Sequence, residues 1–291
     1  MKASVRISAC VAVAMALVAC NGKGAGDASA VRADSVRTAG ERTLSNPVAY
    51  WDKVDFMSPS ILADTALIEQ RFADFAAMLE RADPGIRDYA VKRLLDRAAA
   101  SESSYSRILE IAAHYLFDPA SPMYSEEDYV PFLEYRLAHS GLGREPENVE
   151  ALEYNLGMAR KNAPGSQAAD FSFETPSGEM RSLSQPDSKA EILLIFYGPD
   201  CELCTVAMSR LERDGNIAGA VARGELRVVM IYPGDDRQAW LRHAAGLPVG
   251  WEVGIDASRR IDGEELYWVR ATPSAYLLSP SLTVLGKNVA I

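Results

Sequence analysis

Cys201 and Cys204 stand three positions apart in Cys201-Glu202-Leu203-Cys204, directly after the apolar run Ile192-Leu193-Leu194-Ile195-Phe196-Tyr197. Paired thiols at this spacing can close and reopen a disulfide, so the chemistry they offer is thiol–disulfide exchange. That chemistry needs a particular support. The apolar run reads as a buried strand, and a short turn after it delivers Cys201 to the start of the next helix. There the unpaired backbone N–H groups and the helix dipole favour a thiolate, and Cys204 follows one turn on, within disulfide reach. A zinc site is the weaker reading. One cysteine pair supplies half of a tetrahedral set, and His243 is the sole histidine in this part of the chain.

The other two cysteines fall near the start of the chain. Lys2 and Arg6 are basic, Ile7 to Leu17 is apolar, and Leu17-Val18-Ala19-Cys20 closes the segment. This resembles a bacterial lipoprotein signal with its lipobox. The resemblance implies cleavage before Cys20, acyl chains on Cys20 and loss of Cys10 with the signal. The alternatives are an ordinary secretory signal cut nearby or a short transmembrane anchor, although the apolar run is too short to span a bilayer. Several acyl chains on one residue hold a protein to a membrane durably, so the remainder is expected to be soluble and tethered. Residues 1–19 are expected to be the signal peptide and 20–48 a flexible tether, because Asn21 to Pro47 is rich in Gly, Ala, Ser and Asp without a sustained apolar period. Cys201 and Cys204 are then the two free thiols of a mature protein in the cell envelope, lipid-anchored and facing the periplasm, with the leaflet open. In that compartment a cysteine pair is either held oxidised or actively reduced.

The formal net charge is −10, and losing Lys2 and Arg6 makes it more negative. So acidic a body argues against a nucleic-acid partner and offers no basic patch for anionic lipid; the membrane contact expected is the lipid anchor alone.

After the tether the pattern divides in two. Residues 49–163 are expected to form an all-helical domain, because apolar residues recur at helical spacing in five groups: Ile68 to Leu79, Ile86 to Leu94, Tyr105 to Tyr115, Tyr129 to Leu137 and Val149 to Leu156. Breaks fall at Asp83-Pro84-Gly85, Asp118-Pro119, Ser121-Pro122 and Gly141-Leu142-Gly143, and Ser125 with Asp128 resembles a capping box. Its aromatic residues, Trp51, Phe56, Phe72, Tyr105 and Tyr129 among them, read as core rather than cofactor contacts, and His114 and His139 as lone surface or half-buried histidines.

Beyond Asn162-Ala163-Pro164-Gly165-Ser166 strands alternate with helices, and residues 166–291 are expected to form a second domain. A hairpin joins Asp170 to Glu174 with Arg181 to Leu183 across Pro176-Ser177-Gly178. The strand at Ile192 follows, then a helix from Cys201 to Arg213 whose pattern runs on through Ile217 and Val221. Next come a strand at Leu226 to Tyr232, a helix at Arg237 to His243, a strand at Trp251 to Ile255, and strands at Ala275 to Leu278 and Thr283 to Leu285. The order implies an α/β domain: a mixed sheet with helices on both faces.

Asp170-Phe171, the strand Ile192 to Tyr197, Cys201 and Cys204 at a helix start, and Ala271-Thr272-Pro273-Ser274 before a strand together resemble thioredoxin-fold proteins, specifically exported TlpA- and ResA-type thiol–disulfide oxidoreductases. The likeness covers the chain from about Ala168 onward. It implies that Cys201 is the nucleophile, that Cys204 resolves the mixed disulfide, and that Pro273 is a cis-proline facing the pair. Thr272, Pro199 and Asp200 would contact the substrate backbone. No cofactor is implied beyond the Cys201–Cys204 disulfide. The partners would be a protein disulfide and an upstream electron donor. With Tyr50-Trp51-Asp52, Tyr232-Pro233 and Trp240, the whole chain also resembles exported lipoproteins that carry a helical domain of unassigned role before a thioredoxin-like one.

Several residues depart from that pattern. Asp200 stands where thioredoxins usually have Trp, and with Glu202 it puts negative charge beside Cys201, which disfavours the thiolate. Ile195 occupies the position of the buried thioredoxin carboxylate, and Ala207 a position acidic in some ResA-type proteins. These point to a sluggish reductant rather than a strong oxidant. Lys287 to Ile291 is too short for the closing helix of the fold, so either that helix is missing or another segment, with the helical domain as candidate, covers that face. Two other functions compete: a binding lipoprotein in which the disulfide is structural, and a thiol peroxidase, whose Thr/Ser and Pro spacing Tyr197-Gly198-Pro199-Asp200-Cys201 does not satisfy.

Overall fold

The computed structural model describes residues 46–58, 64–141, 148–185 and 187–291. The expected signal peptide, Cys20 and most of the tether lie outside the described residues, as does part of the break at Gly141 to Gly143.

Among the described residues five α-helices build the first half: α1 (Thr65–Leu79), α2 (Pro84–Ala98), α3 (Glu102–Ala112), α4 (Glu126–Ala138) and α5 (Val149–Arg160). Their starts carry the side chains that satisfy otherwise orphaned N–H groups. Asp64, Ser101, Ser125 and Asn148 each accept a backbone N–H from the first turn of α1, α3, α4 and α5. Ser125 caps α4 as its sequence suggests, but Asp128 does not close a box with it. Its carboxylate instead pairs with Arg87 Nε at 2.8 Å, and the Ser125 N–H goes to Leu116 O at 3.0 Å. The apolar faces meet in one core of Trp51, Phe56, Phe72, Phe75, Tyr105, Tyr129 and Phe132. Burying an aromatic ring of this size is worth about 2–3 kcal/mol against leaving it in water. His114 is exposed and His139 half-buried against Tyr135. After α3 the chain widens into a π-helical turn, Ala113–Phe117, which ends in extended backbone at Asp118.

The second half is a seven-stranded mixed sheet in the order β2-β1-β5-β4-β3-β6-β7. The strands are β1 (Ser172–Glu174), β2 (Met180–Ser182), β3 (Glu191–Phe196), β4 (Leu226–Tyr232), β5 (Glu252–Ile255), β6 (Ser274–Leu278) and β7 (Val284–Lys287). β3, β4 and β5 are mutually parallel, and β6 runs antiparallel to β3. Four helices connect them: α6 (Glu202–Arg213), α7 (Gly215–Ala222), α8 (Arg237–Ala244) and the single turn α9 (Arg260–Gly263). β3 is apolar at every inner position because both of its faces are covered. Ile192, Leu194 and Phe196 enter one core with Phe171, Tyr267 and Tyr276, while Leu193, Ile195 and Tyr197 enter the other with α6, α7 and α8.

One expectation for this half is corrected, and one element lies outside what the sequence signals. The helix after Cys201 does not run on through Ile217: Asp214 adopts extended backbone, ends α6, and accepts the N–H groups of Asn216 and Ile217 to start α7. The turn α9 has no sequence signature long enough to find. Beside β6 and β7, on the α6 side, the helical half stands across from the sheet. A cleft of about 730 Å³ runs between them, lined by Leu116, Glu126 and Asp128 on one wall and Leu193, Leu211, Leu277 and Leu285 on the other. No helix among the described residues is long and apolar enough to cross a membrane.

Candidate redox site

Strand register brings the site together. Phe196, the last residue of β3, pairs with Ser274, the first of β6. The residues that follow β3 and those that precede β6 therefore emerge side by side at one end of the sheet. Tyr197-Gly198-Pro199-Asp200 turns from β3 into α6, and Ala271-Thr272-Pro273 leads into β6 with a cis Thr272–Pro273 peptide. Gly198 fits between the two: a Cβ there would sit 3.5 Å from Cys201 Cβ and 3.7 Å from Thr272 Oγ1.

Cys201 and Cys204 form a disulfide with a Cα–Cα distance of 5.2 Å, well within the range such a bridge requires. Cys201 is the N-cap of α6, and its sulfur accepts the Cys204 N–H at 3.1 Å. It thus fills the position that Asp, Ser and Asn oxygens fill on α1, α3, α4, α5, α7 and α8. Sulfur in this place faces the positive end of the helix, the arrangement that favours a thiolate when the bond opens. Cys201 Sγ is also 3.3 Å from Thr272 O. In the disulfide it carries no hydrogen, so this is a close contact rather than a hydrogen bond. Cys201 is half-buried and Cys204 fully buried. Asp200, Glu202 and Leu203 are exposed around them, and Pro199, Thr272 and Pro273 are half-buried. All six candidate residues within the described chain, Pro199, Asp200, Cys201, Cys204, Thr272 and Pro273, converge here. The seventh, Cys20, lies outside it.

Sequence reasoning placed Ile195 and Ala207 beside the pair but missed the polar groups behind it. Ile195 is buried and apolar where thioredoxins keep a carboxylate, and Ala207 is buried on α6. Polar groups nearby come from α8 instead. His243 lies with its ring centroid 5.3 Å from that of Tyr197, and Trp240 is fully buried in the same core as Cys204. His243 Nδ1 is buried without a hydrogen-bond partner among the described residues, and Tyr197 Oη and Trp240 Nε1, also buried, face each other without a well-aligned hydrogen bond. Burial pushes the His243 imidazole below its usual range, opposed by the charge of Asp200. Burial also holds the Tyr197 phenol well above its usual range, opposed by the nearby Trp240 indole. The signal available in the sequence was the alternation 193, 195, 197, which puts Tyr197 on the α6 side; nothing in the sequence brings His243 to it. Among the described residues no cluster of three or more His, Cys, Asp or Glu side chains is arranged to hold a metal ion.

Comparison with known proteins separates the two halves. Residues 41–162 match the model of a family described as a domain of unknown function, DUF5106. No curated protein matches the chain. Among solved structures, a conserved protein of unknown function from Bacteroides fragilis is 33% identical over 44% of this chain and 93% of its own, with a TM-score of 0.43. A thiol-disulfide oxidoreductase from Bacteroides fragilis NCTC 9343 is 22% identical over 43% of this chain and 90% of its own, with a TM-score of 0.38. A thioredoxin-like protein from Bacteroides caccae ATCC 43185 is similar through both halves: 30% identical, covering 86% of this chain and 89% of its own, with a TM-score of 0.77. That full-length likeness, added to the disulfide at the head of α6, establishes that the chain belongs to the thioredoxin-like proteins.

Proposed function

We propose that this protein is an exported, membrane-tethered thiol–disulfide oxidoreductase of the TlpA/ResA type that reduces or exchanges protein disulfides. The observation that carries the reading is the position of Cys201 Sγ, which accepts the Cys204 N–H at the start of α6 and touches the Thr272 carbonyl. In the reduced state the Cys201 thiolate attacks one sulfur of a substrate disulfide. A Cys201–substrate bond forms, the substrate bond breaks, and one substrate thiolate leaves and takes up a proton. Cys204 loses its proton and attacks Cys201 Sγ. The Cys201–Cys204 bond forms as the mixed disulfide breaks, and the second substrate thiol departs. Two electrons have passed to the substrate, and the dithiol of a separate donor protein must return them. The edge of the Thr272-Pro273 segment, with Pro199 and Asp200 opposite, is where an extended substrate would lie.

Tethering rests on Cys20 and the apolar run before it; replacing Cys20 with Ser is expected to release the protein from the membrane fraction into the periplasmic one. The chemistry is tested by equilibrating Cys201 and Cys204 against a dithiothreitol series and by following reduction of a disulfide-bonded polypeptide. We expect a reducing potential, and loss of reduction to background in Cys201→Ser and Cys204→Ser with little change in thermal stability. Large destabilisation without any exchange would instead mean a structural bridge in a binding lipoprotein. A potential near that of a strong disulfide donor would reverse the direction proposed. Peroxide consumption driven by an external reductant would favour a thiol peroxidase.

A further inference from the structure

The helical half grips the sheet half at the segment that runs from α9 to Pro273. Asn162 Nδ2 donates to Leu266 O at 2.8 Å, and Lys161 Nζ donates to Glu265 O. Trp268, which belongs to that segment, packs against the core of the helical half, with its ring centroid 5.7 Å from Phe117. Arg270 completes the attachment. Its guanidinium carbon lies 4.0 Å from the centroid of the Phe117 ring and 4.9 Å from that of Trp268, and Nη1 donates to Phe117 O. Phe117 is the last residue of the π-helical turn, so its carbonyl has no onward helical partner and its end of the turn is electronegative. A planar cation that both caps this carbonyl and stacks on the ring uses two properties that lysine does not combine. The Phe117 ring is itself stacked on buried Tyr129 at 4.4 Å, which ties it to the helical core.

From Arg270 the chain has three residues before β6 begins, and Ser274 is already fixed by pairing with Phe196. Between those two anchors Thr272 faces Cys201 Sγ at 3.3 Å. A change at Arg270 therefore has little chain in which to dissipate before it reaches the carbonyl beside the disulfide. We infer that Arg270 is a positioning residue through which the helical domain, by way of Phe117, holds the Thr272-Pro273 segment in register for a polypeptide substrate. This inference rests on the exchange reading above, and it gives the domain of unknown function a task in that reaction.

The test uses the full chain with Arg270→Ala, Arg270→Lys and Phe117→Leu. Two disulfides are compared: a disulfide-bonded polypeptide, which needs the segment, and a small aromatic disulfide, which needs the thiolate alone. Arg270→Ala is expected to lower kcat/KM for the polypeptide by about 10-fold, mainly through KM, while the small disulfide changes by less than about 2-fold. Phe117→Leu should follow it, and Arg270→Lys should recover part of the loss by keeping a cation over the ring. Hydrogen exchange of the backbone around Thr272 is expected to quicken in Arg270→Ala without a matching change in α6. Equal losses on both disulfides, or unchanged exchange around Thr272, overturn the inference. If the wild-type chain reduces neither disulfide, the proposed function fails; hydrogen exchange around Thr272 still decides whether Arg270 holds the segment.

Discussion

Two buried polar clusters in this protein are solved in opposite ways. In the cleft between the halves the charges are matched. Arg87 lies 2.8 Å from Asp128 and 2.7 Å from Glu127, and Lys287 lies 2.5 Å from Glu126 while donating to the carbonyls of Ala159 and Lys161 at 2.9 and 2.8 Å. Burial pushes the Asp128 carboxyl up and the Arg87 guanidinium beside it opposes the shift. Behind the disulfide, Tyr197, Trp240 and His243 carry buried polar atoms that no charge pairs, and the Trp240 indole beside the Tyr197 oxygen is the one polar approach among them. Matched charges hold an interface in one arrangement, because separating them strands an ion in a poor solvent. Unmatched neutral groups cost less, and they cluster beside sites where protons move. The difference teaches that the seam is built to stay closed while the region under Cys204 is kept polar at some expense.

Breaking the matched cluster should have the largest effect. Lys287→Met leaves Glu126 buried without its cation, and we expect a loss of about 3–5 kcal/mol in urea unfolding. A loss near zero would mean that the cleft relaxes to let water in, and the contrast between the clusters would fall.

The unmatched cluster predicts an acid limb instead. His243 has a folded-state pKa lowered by burial, with Asp200 opposing, so the unfolded chain binds the proton first as pH falls. Its contribution is complete above about pH 6.5, the unperturbed value, and is lost as pH drops toward and through the lowered one. The wild type should therefore lose stability below that pH more steeply than His243→Asn, measured as urea midpoints across the range. Parallel curves would remove His243 from the account. The smallest effect is expected at Tyr197→Phe. Its hydroxyl has only the poorly aligned approach of the Trp240 indole to lose, so stability should change by less than about 1 kcal/mol. A larger destabilisation would reveal a partner, such as a bound water, and bring the two clusters closer in kind.

Much of this arrangement was legible in one dimension. The five apolar groups between Ile68 and Leu156 correspond to α1 to α5, and the hairpin at Pro176-Ser177-Gly178 joins β1 to β2. Those signals are local: periodicity, caps and turns act over a few residues. What was not legible depends on distant partners. Asp128 abandons the capping box because Arg87, on another helix, offers a charge at 2.8 Å. Asp214 divides α6 from α7 because its side chain accepts two N–H groups, which an apolar pattern running through Ile217 conceals. Arg270 reaches Phe117 across 153 residues of sequence.

The sequence alone determined that two thiols would stand at the head of a helix behind a buried strand, whereas Pro273 joined them only through the resemblance to thioredoxin-fold proteins and by itself reads as a turn. The thiols were placed because an apolar run, a short turn and a helix start are each fixed by near neighbours in the chain. Only the tertiary structure decided that β6 runs antiparallel to β3, so that Thr272 meets Cys201, that α8 brings His243 against Tyr197, and that the helical half holds Arg270. Those contacts follow from strand order and from how two cores pack against each other, and neither is written in the spacing of residues along one segment.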